Sequence, residues 1–367
     1  DVAAALEVAL AEDGAVAKGR LRLALGRLQV LLQFGAGADH AHAAAAAAGG
    51  GLHQDGEVAV GDLVRGEVRE HGHAGLGEPG LGRDLGAHRG DGLRGGADPD
   101  DARGLDDRTW NPTNPNPAVL DGVQAVIHLA GENTEGIWTP DKKRRIRDSR
   151  VIPTHKLAEL AAQSDTVTTF ICASAIGVYG DNRGAEVLTE ASVPGDDYFA
   201  DVVQKWEGAC QPARAAGKRV VNVRTGIVLS RDGGVLPLLV DIFKWGGGGL
   251  IGVGKRWMSW IDIDDLVRIY ITALTCEQIS GPINATSPEP CTNTHFTKVL
   301  GVALDRPTPL IIPAIASTMV GHQGARQLSM ADQRAQPRKL LSLPNQGFYF
   351  EYRTIEQALY HQLPDGH

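Results

Sequence analysis

The chain has 367 residues, 43% apolar and 22% charged, with a formal net charge of −8; that is length for two or three domains and an ordinary globular balance. The acidic balance, with a pI near 5.8, speaks against a polyanion-binding surface, so nucleic acid is not an expected partner. Cys172, Cys210, Cys276 and Cys291 form no CxxC pair and have no His at metal spacing, and neither a bilayer-length apolar run nor a signal-like N-terminus is present. No metal, disulfide framework or membrane association is therefore expected, and a reducing cytoplasm fits.

Residues 1–108 stand apart. They contain no Ile, Ser, Asn, Cys, Met, Tyr or Trp, one Lys (Lys18) and one aromatic (Phe34), yet 22 of the 46 glycines and 6 of the 12 histidines. Such a composition lacks the β-branched and aromatic side chains of a packed core. Asp1–Leu10 and Leu21–Leu32 read as amphipathic helices, and from Gly35 to Gly104 disordered or irregular chain is expected. Gly75-Leu-Gly77-Glu-Pro-Gly80 matches GxGxxG, but the preceding EVREHGHA (Glu67–Ala74) cannot be a buried strand and no helix opens after it, so the match reads as chance. Only residues favoured by GC-rich codons occur here, and the bias ends abruptly near Trp110. That pattern raises the hypothesis of a frame other than the gene's own; detecting peptides of this segment in cells would refute it.

Ordinary protein sequence begins at Trp110. The Pro/Asn-rich Asn111–Pro117 is a loop. Val123–Leu129 reads as a buried parallel-type strand, and Ala130-Gly131 permits a sharp turn at its carboxyl end, where open α/β sheets place ligands. Thr139-Pro140-Asp141 starts a helix expected to run to about Leu160. Its cations Lys142, Lys143, Arg144, Arg145, Arg147 and Arg150 suit either a solvated face or an anionic cofactor. Thr168–Ala173 is the next strand, and Ser174 at its end is placed to hydrogen-bond a substrate oxygen or its own backbone.

Further on, Arg219–Arg224 is another buried strand, with Arg224 open to a cofactor contact or a carboxylate partner. Trp245, Trp257 and Trp260 surround the glycine-rich Gly246–Gly254 and read either as an aromatic wall or as core. Asp264-Asp265 is expected to cap a helix at Leu266–Leu274. Ile283–Pro288 reads as a strand and turn, Thr292–Leu304 as a capped helix, Arg306–Pro313 as extended and Ala314–Val320 as a helix. The polar run Gly321–Met330 has no physical reading.

HLAGEN, WTPDKKRRIRDSR, SAIGVYG, Lys205-Trp206-Glu207, Val223–Leu229 (VRTGIVL) and Trp260–Leu266 (WIDIDDL) occur in an order that resembles the YfcH-like epimerase family, atypical extended short-chain dehydrogenases/reductases. The resemblance spans Trp110 to about Leu363. It implies an α/β doubly wound, Rossmann-type parallel sheet binding NADP or NAD, with NADP favoured, and a small C-terminal α+β domain. The family's first βαβ half, with its TGxxGxxG turn, is not recognisable. The resulting division is 1–108, a biased segment; 109–285, the second half of the NAD(P)-binding domain; and 286–367, the family's C-terminal domain.

The implied function is that of an NAD(P)-dependent oxidoreductase or nucleotide-sugar-epimerase-like enzyme acting on a small carbonyl or hydroxyl substrate. Ser174 and Tyr179 are the catalytic candidates. Leu129, Ala130, Gly131, Glu132, Ala173, Arg224 and Gly226 are assigned to the cofactor, and Asn133, Trp257 and Trp260 to the substrate. The superfamily's Tyr-x-x-x-Lys pair would fall on Phe199 and Val203, neither of which can move a proton. The family's usual His is Asp262 here. The missing pair leaves two alternatives: a non-catalytic dinucleotide-binding or sensing protein, or a truncated or misread member unable to bind cofactor. Oligomeric state is not readable.

Overall fold

The computed structural model describes residues 30–33, 58–63, 105–132, 134, 138–244, 249–251, 256–308, 310–312, 332–344 and 347–364. Strands β1 (Val30–Gln33), β2 (Val58–Leu63) and β3 (Leu105–Trp110) precede β4 (Ala125–His128). Then follow α1 (Pro140–Gln163), β5 (Thr169–Ala175), β6 (Asn182–Leu188), α2 (Tyr198–Gly208), α3 (Gln211–Ala215), β7 (Arg219–Thr225), β8 (Ile227–Ser230), β9 (Gly233–Gly234), α4 (Val235–Lys244) and β10 (Gly249–Ile251). The chain continues through β11 (Trp257–Met258), β12 (Trp260–Asp262), α5 (Ile263–Thr275), β13 (Gly281–Ala285), β14 (Cys291–Thr292), α6 (Asn293–Ala303), β15 (Leu310–Ile312), β16 (Asp332–Ala335), α7 (Arg338–Leu341) and α8 (Ile355–Gln362).

The main sheet has seven strands in the order β13-β7-β5-β4-β1-β2-β3. From β13 to β1 every pairing is parallel. Parallel strands are buried on both faces, and side-chain alternation divides them between two cores. Ala125, Ile127, Ile171, Val221, Val223, Ile283 and Ala285 pack with α5, while Val126, Phe170, Cys172 and Val220 pack with Leu157, Ala158 and Ala161 of α1 and Ala213 of α3. This is the doubly wound arrangement expected.

Its first half is not regular. β1 pairs parallel with β4, but β2 runs antiparallel to β1, and β3 antiparallel to β2. Strands β1 and β2 are thus not the parallel pair of a βαβ crossover. They also correct two expectations: Val30–Leu32 is strand and not helix, and Val58–Leu63 is strand inside the segment expected to be irregular. Pairing with a formed sheet overrides weak local preference. The GxGxxG match at 75–80 and the helix expected at 314–320 lie outside the described residues.

Local signals set the helix ends well. Thr139 caps α1 by accepting from the Lys142 N–H, Thr292 caps α6 from His295, and a capping box of Thr354 and Gln357 opens α8. One cap differs from the expectation. Asp262, not Asp264, caps α5, accepting the Asp264 N–H at 2.9 Å, because the helix starts at Ile263. A third core joins Leu229, Leu236, Phe243 and Trp260 to Phe296 and Leu300 of α6 and Leu359 of α8. Packing therefore crosses the domain boundary expected at residue 285. Among the described residues no helix is long and apolar enough to cross a membrane.

Candidate functional site

Strand order reverses between β1 and β4: the chain leaves β1 toward β3 on one side and builds β5, β7 and β13 on the other. Open α/β sheets hold ligands in the crevice outside the carboxyl ends of the strands at such a point. Here Gln33 lies beside His128 and His128 beside Cys172, so Leu129–Glu132 emerges at the crevice.

Beneath this turn lies a cation. Arg150 Nη1 donates to the carbonyls of Glu132 and Ile146, both at 3.0 Å, and its guanidinium stacks over Trp206 at 5.3 Å. Burial pulls its pKa down to about 10, opposed by the charge of Glu132, so it stays cationic at neutral pH. A Cβ added at Gly131 would sit 3.0 Å from the Arg150 guanidinium carbon, so this glycine is what lets the turn lie on the arginine. Glu132 accepts from Lys142 (2.8 Å) and Arg145 (3.0 Å). Arg144 pairs with Asp141 and Arg147 with Asp148, so these α1 cations have carboxylate partners within the chain.

Ser174 and Ala173, both assigned to the site, face opposite ways because β5 runs on to Ala175 and side chains alternate along a strand. Ala173, Ala175 and Gly177 remain partly accessible while Ser174 is buried. The Ser174 hydroxyl donates to Glu207 Oε1 at 2.6 Å. Arg224 clasps the same carboxylate, Nε to Oε1 at 2.8 Å and Nη2 to Oε2 at 2.9 Å. Of the two roles open to Arg224, the carboxylate partner is the one the geometry displays. Burial alone would weaken its charge, but the hydrogen bond and charge of Glu207 outweigh that and raise its pKa.

Tyr179 is fully buried in the same network. Its hydroxyl accepts from Arg224 Nη1 at 3.0 Å and donates to Asn284 Oδ1 at 2.7 Å. Burial pushes its pKa up, against the pull of Arg224. Tyr198 is tied down as well, its hydroxyl donating to the Lys143 carbonyl at 2.6 Å. At the positions of the missing pair, Val203 is buried, and Phe199 stacks on Trp138 with ring centres 5.8 Å apart and packs against Gly177.

Gly226 is a packing glycine. Its N–H donates to the Ala285 carbonyl, and an added Cβ would lie 2.8 Å from the Ser259 carbonyl oxygen. Trp260 is wholly in the core, whereas Trp257 is partly accessible, and Asn133 lies outside the described residues. Asp262, Asp264 and His361 bring ligand-type atoms within 4.8 Å of one another, although Asp262 already accepts from the Asp264 N–H and from Gln362.

Sequence reasoning did not assign Glu207 or Ala175 to the site, and it named Arg150 only as one of six cations open to a solvated face or an anionic cofactor. The period-two pattern of Cys172–Ala175 held the signal for Ala175. The other two depend on contacts between distant residues.

Fold and crevice together define a dinucleotide-binding α/β protein of the short-chain dehydrogenase/reductase type. The model of the NAD dependent epimerase/dehydratase family matches residues 111–285. An epimerase family protein of Mycobacterium leprae is 40% identical over 254 residues, covering 68% of this chain and 81% of the relative. The chain belongs to this epimerase family. Among solved structures, it is similar to a nucleoside-diphosphate sugar epimerase from Corynebacterium glutamicum (45% identity, TM-score 0.58), covering 69% of this chain and spanning 49% of that one. It is also similar to human epimerase family protein SDR39U1, solved with NADPH (29% identity, TM-score 0.61), over 66% of this chain and 82% of that one.

Proposed function

We propose that the chain is an NADP-dependent oxidoreductase or epimerase acting on a small carbonyl or hydroxyl substrate. The observation that carries this reading is the strand-order reversal between β1 and β4, with Ala130-Gly131 emerging at its crevice over the half-buried Arg150. NADPH in the similar human protein favours NADP over NAD. The cradle fits on the side the described residues form: a small-residue turn and the accessible alanines Ala173 and Ala175 leave room for a flat ring. When bound, the dinucleotide supplies or accepts hydride. Leu129–Glu132 would hold it along one wall and Ala173 and Ala175 would flank it, with Trp257 on the substrate side. Ser174 and Arg224 act through Glu207, fixing β5 and β7 to α2, and Tyr179 braces the same network; these are positioning residues. A reducing compartment such as the cytoplasm suits the four free cysteines.

A second reading, a dinucleotide-binding sensor without catalysis, is favoured by Phe199 and Val203 standing where a proton-transferring pair would be. Hydride exchange separates the two. Incubation with stereospecifically deuterated NADPH and a panel of aldehydes, ketones and sugars should transfer label to one of them. Binding of NADPH without transfer to any compound would favour the sensor.

A further inference from the structure

β16 presents its residues alternately. Gln333 is buried and its amide donates to the carbonyls of Ile176 (3.3 Å) and Gly180 (2.7 Å), pinning the strand to the turn that follows β5. Arg334 faces the other way, half-buried, with its guanidinium carbon 4.4 Å from the centre of the Trp257 ring. Trp257 is held in place by its backbone N–H, which donates to Asp332 Oδ1 at 2.8 Å.

Among the described residues Arg334 has no carboxylate partner and no hydrogen bond, and its Nε is buried without an acceptor. Other arginines are treated differently: Arg183 pairs with Glu186, Arg224 with Glu207 and Arg268 with Asp265. Asp332, two residues away, spends an oxygen on the Trp257 N–H and forms no ion pair with Arg334. Stacking on an indole uses only the face of a guanidinium and leaves its in-plane N–H donors free. A buried N–H without an acceptor costs free energy that an arriving oxyanion would return, and the planar fork matches phosphate or carboxylate geometry.

We propose that Arg334, stacked on Trp257, anchors an anionic group of the substrate, a phosphate or a carboxylate. Gln333, next to Arg334, bonds to the turn that follows Ala175, so the strand that carries the anchor is fixed beside the carboxyl end of β5. This inference rests on the dinucleotide-binding reading and identifies the substrate class for that site.

Its test uses the full chain, with inorganic pyrophosphate as the phosphate probe and succinate as the carboxylate probe. Each is titrated calorimetrically with and without saturating NADPH, and NADPH binding is followed separately by fluorescence. At least one probe should bind the wild type. Arg334→Gln should weaken it about ten-fold or more and Arg334→Lys by less, with NADPH affinity and thermal midpoint unchanged. Whichever probe loses affinity identifies the anion. Equal probe binding by wild type and Arg334→Gln, or no binding of either probe to the wild type, would overturn the proposal. Loss of NADPH affinity in Arg334→Gln with probe binding intact would assign the arginine to the cofactor's phosphates and also overturn it. A wild type that binds a probe but not NADPH would defeat the dinucleotide reading while leaving the anchor to be judged by the variants.

Discussion

Arg224 and Glu207 meet in a two-point ion pair, 2.8 and 2.9 Å, with the Ser174 hydroxyl on the same carboxylate. Both side chains are largely buried, at 7% and 15% exposure. Removing one partner of a buried pair strands the other charge, so Glu207→Gln should cost about 3–5 kcal/mol in urea unfolding. Ser174→Ala, which removes one hydrogen bond to a carboxylate, should cost about 1.5–3 kcal/mol. An unfolding midpoint unchanged in Glu207→Gln would show that the pair does not hold β5 and β7 to α2.

His128 is fully buried with neither ring nitrogen hydrogen-bonded among the described residues, and burial pushes its pKa down to about 3. The unfolded imidazole takes up a proton near its ordinary value of about 6.5 while the folded one does not. Stability should therefore fall as pH drops from about 6.5, at about 1.4 kcal/mol per unit for this one group. Between pH 6.5 and 5, before most carboxylates titrate, His128→Leu should flatten that decline. An identical slope in the variant would refute the assignment.

Asp262 gives the opposite sign. Burial first, with the charges of Asp264 and Asp265 adding to it, raises its pKa to about 8, against the Asp264 N–H and Gln362 hydrogen bonds that lower it. A raised carboxyl pKa stabilises the fold at acid pH, and that contribution is lost as pH rises from about 4 to 8. Asp262→Asn keeps a capping oxygen without the charge and should gain stability relative to wild type at pH 8 but not at pH 4. Thermal midpoints of both proteins at the two pH values decide this, and a variant destabilised more at pH 8 than at pH 4 would contradict it.

Gly177 has no room for a side chain while Phe199 stays in place, because a Cβ there would lie 2.3 Å from Phe199 Cδ1. Gly177→Ala should push Phe199 off Trp138, costing about 1–3 kcal/mol, a typical range for overpacking. The displaced stack should shift tryptophan emission relative to wild type. Unchanged emission and stability would mean that the aromatic cluster yields without cost.

Strands β4, β5 and β7 are legible in the sequence because a parallel strand buried on both faces is written as a short apolar run. The start of α1 is legible because Thr139-Pro140 is a local cap. Strands β1 and β2 are not, since a handful of Val, Leu and Gly residues becomes strand only where a neighbour supplies the pairing. The substrate role expected of Ser174 treats it as a residue just past the strand, whereas β5 runs on to Ala175 and in-strand alternation commits Ser174 to a buried face. Arg150 under Gly131 and Arg334 over Trp257 were invisible for another reason: chain periodicity carries no record of contacts between residues so far apart.

The central claim is a working dinucleotide crevice at the β1/β4 reversal, and NADPH fluorescence titration of the chain tests it most directly. Saturable one-to-one binding is expected, and it should be lost in Gly131→Val, whose side chain would displace Arg150 from the turn. Absence of binding by the wild type, or equally tight binding by Gly131→Val, would contradict it.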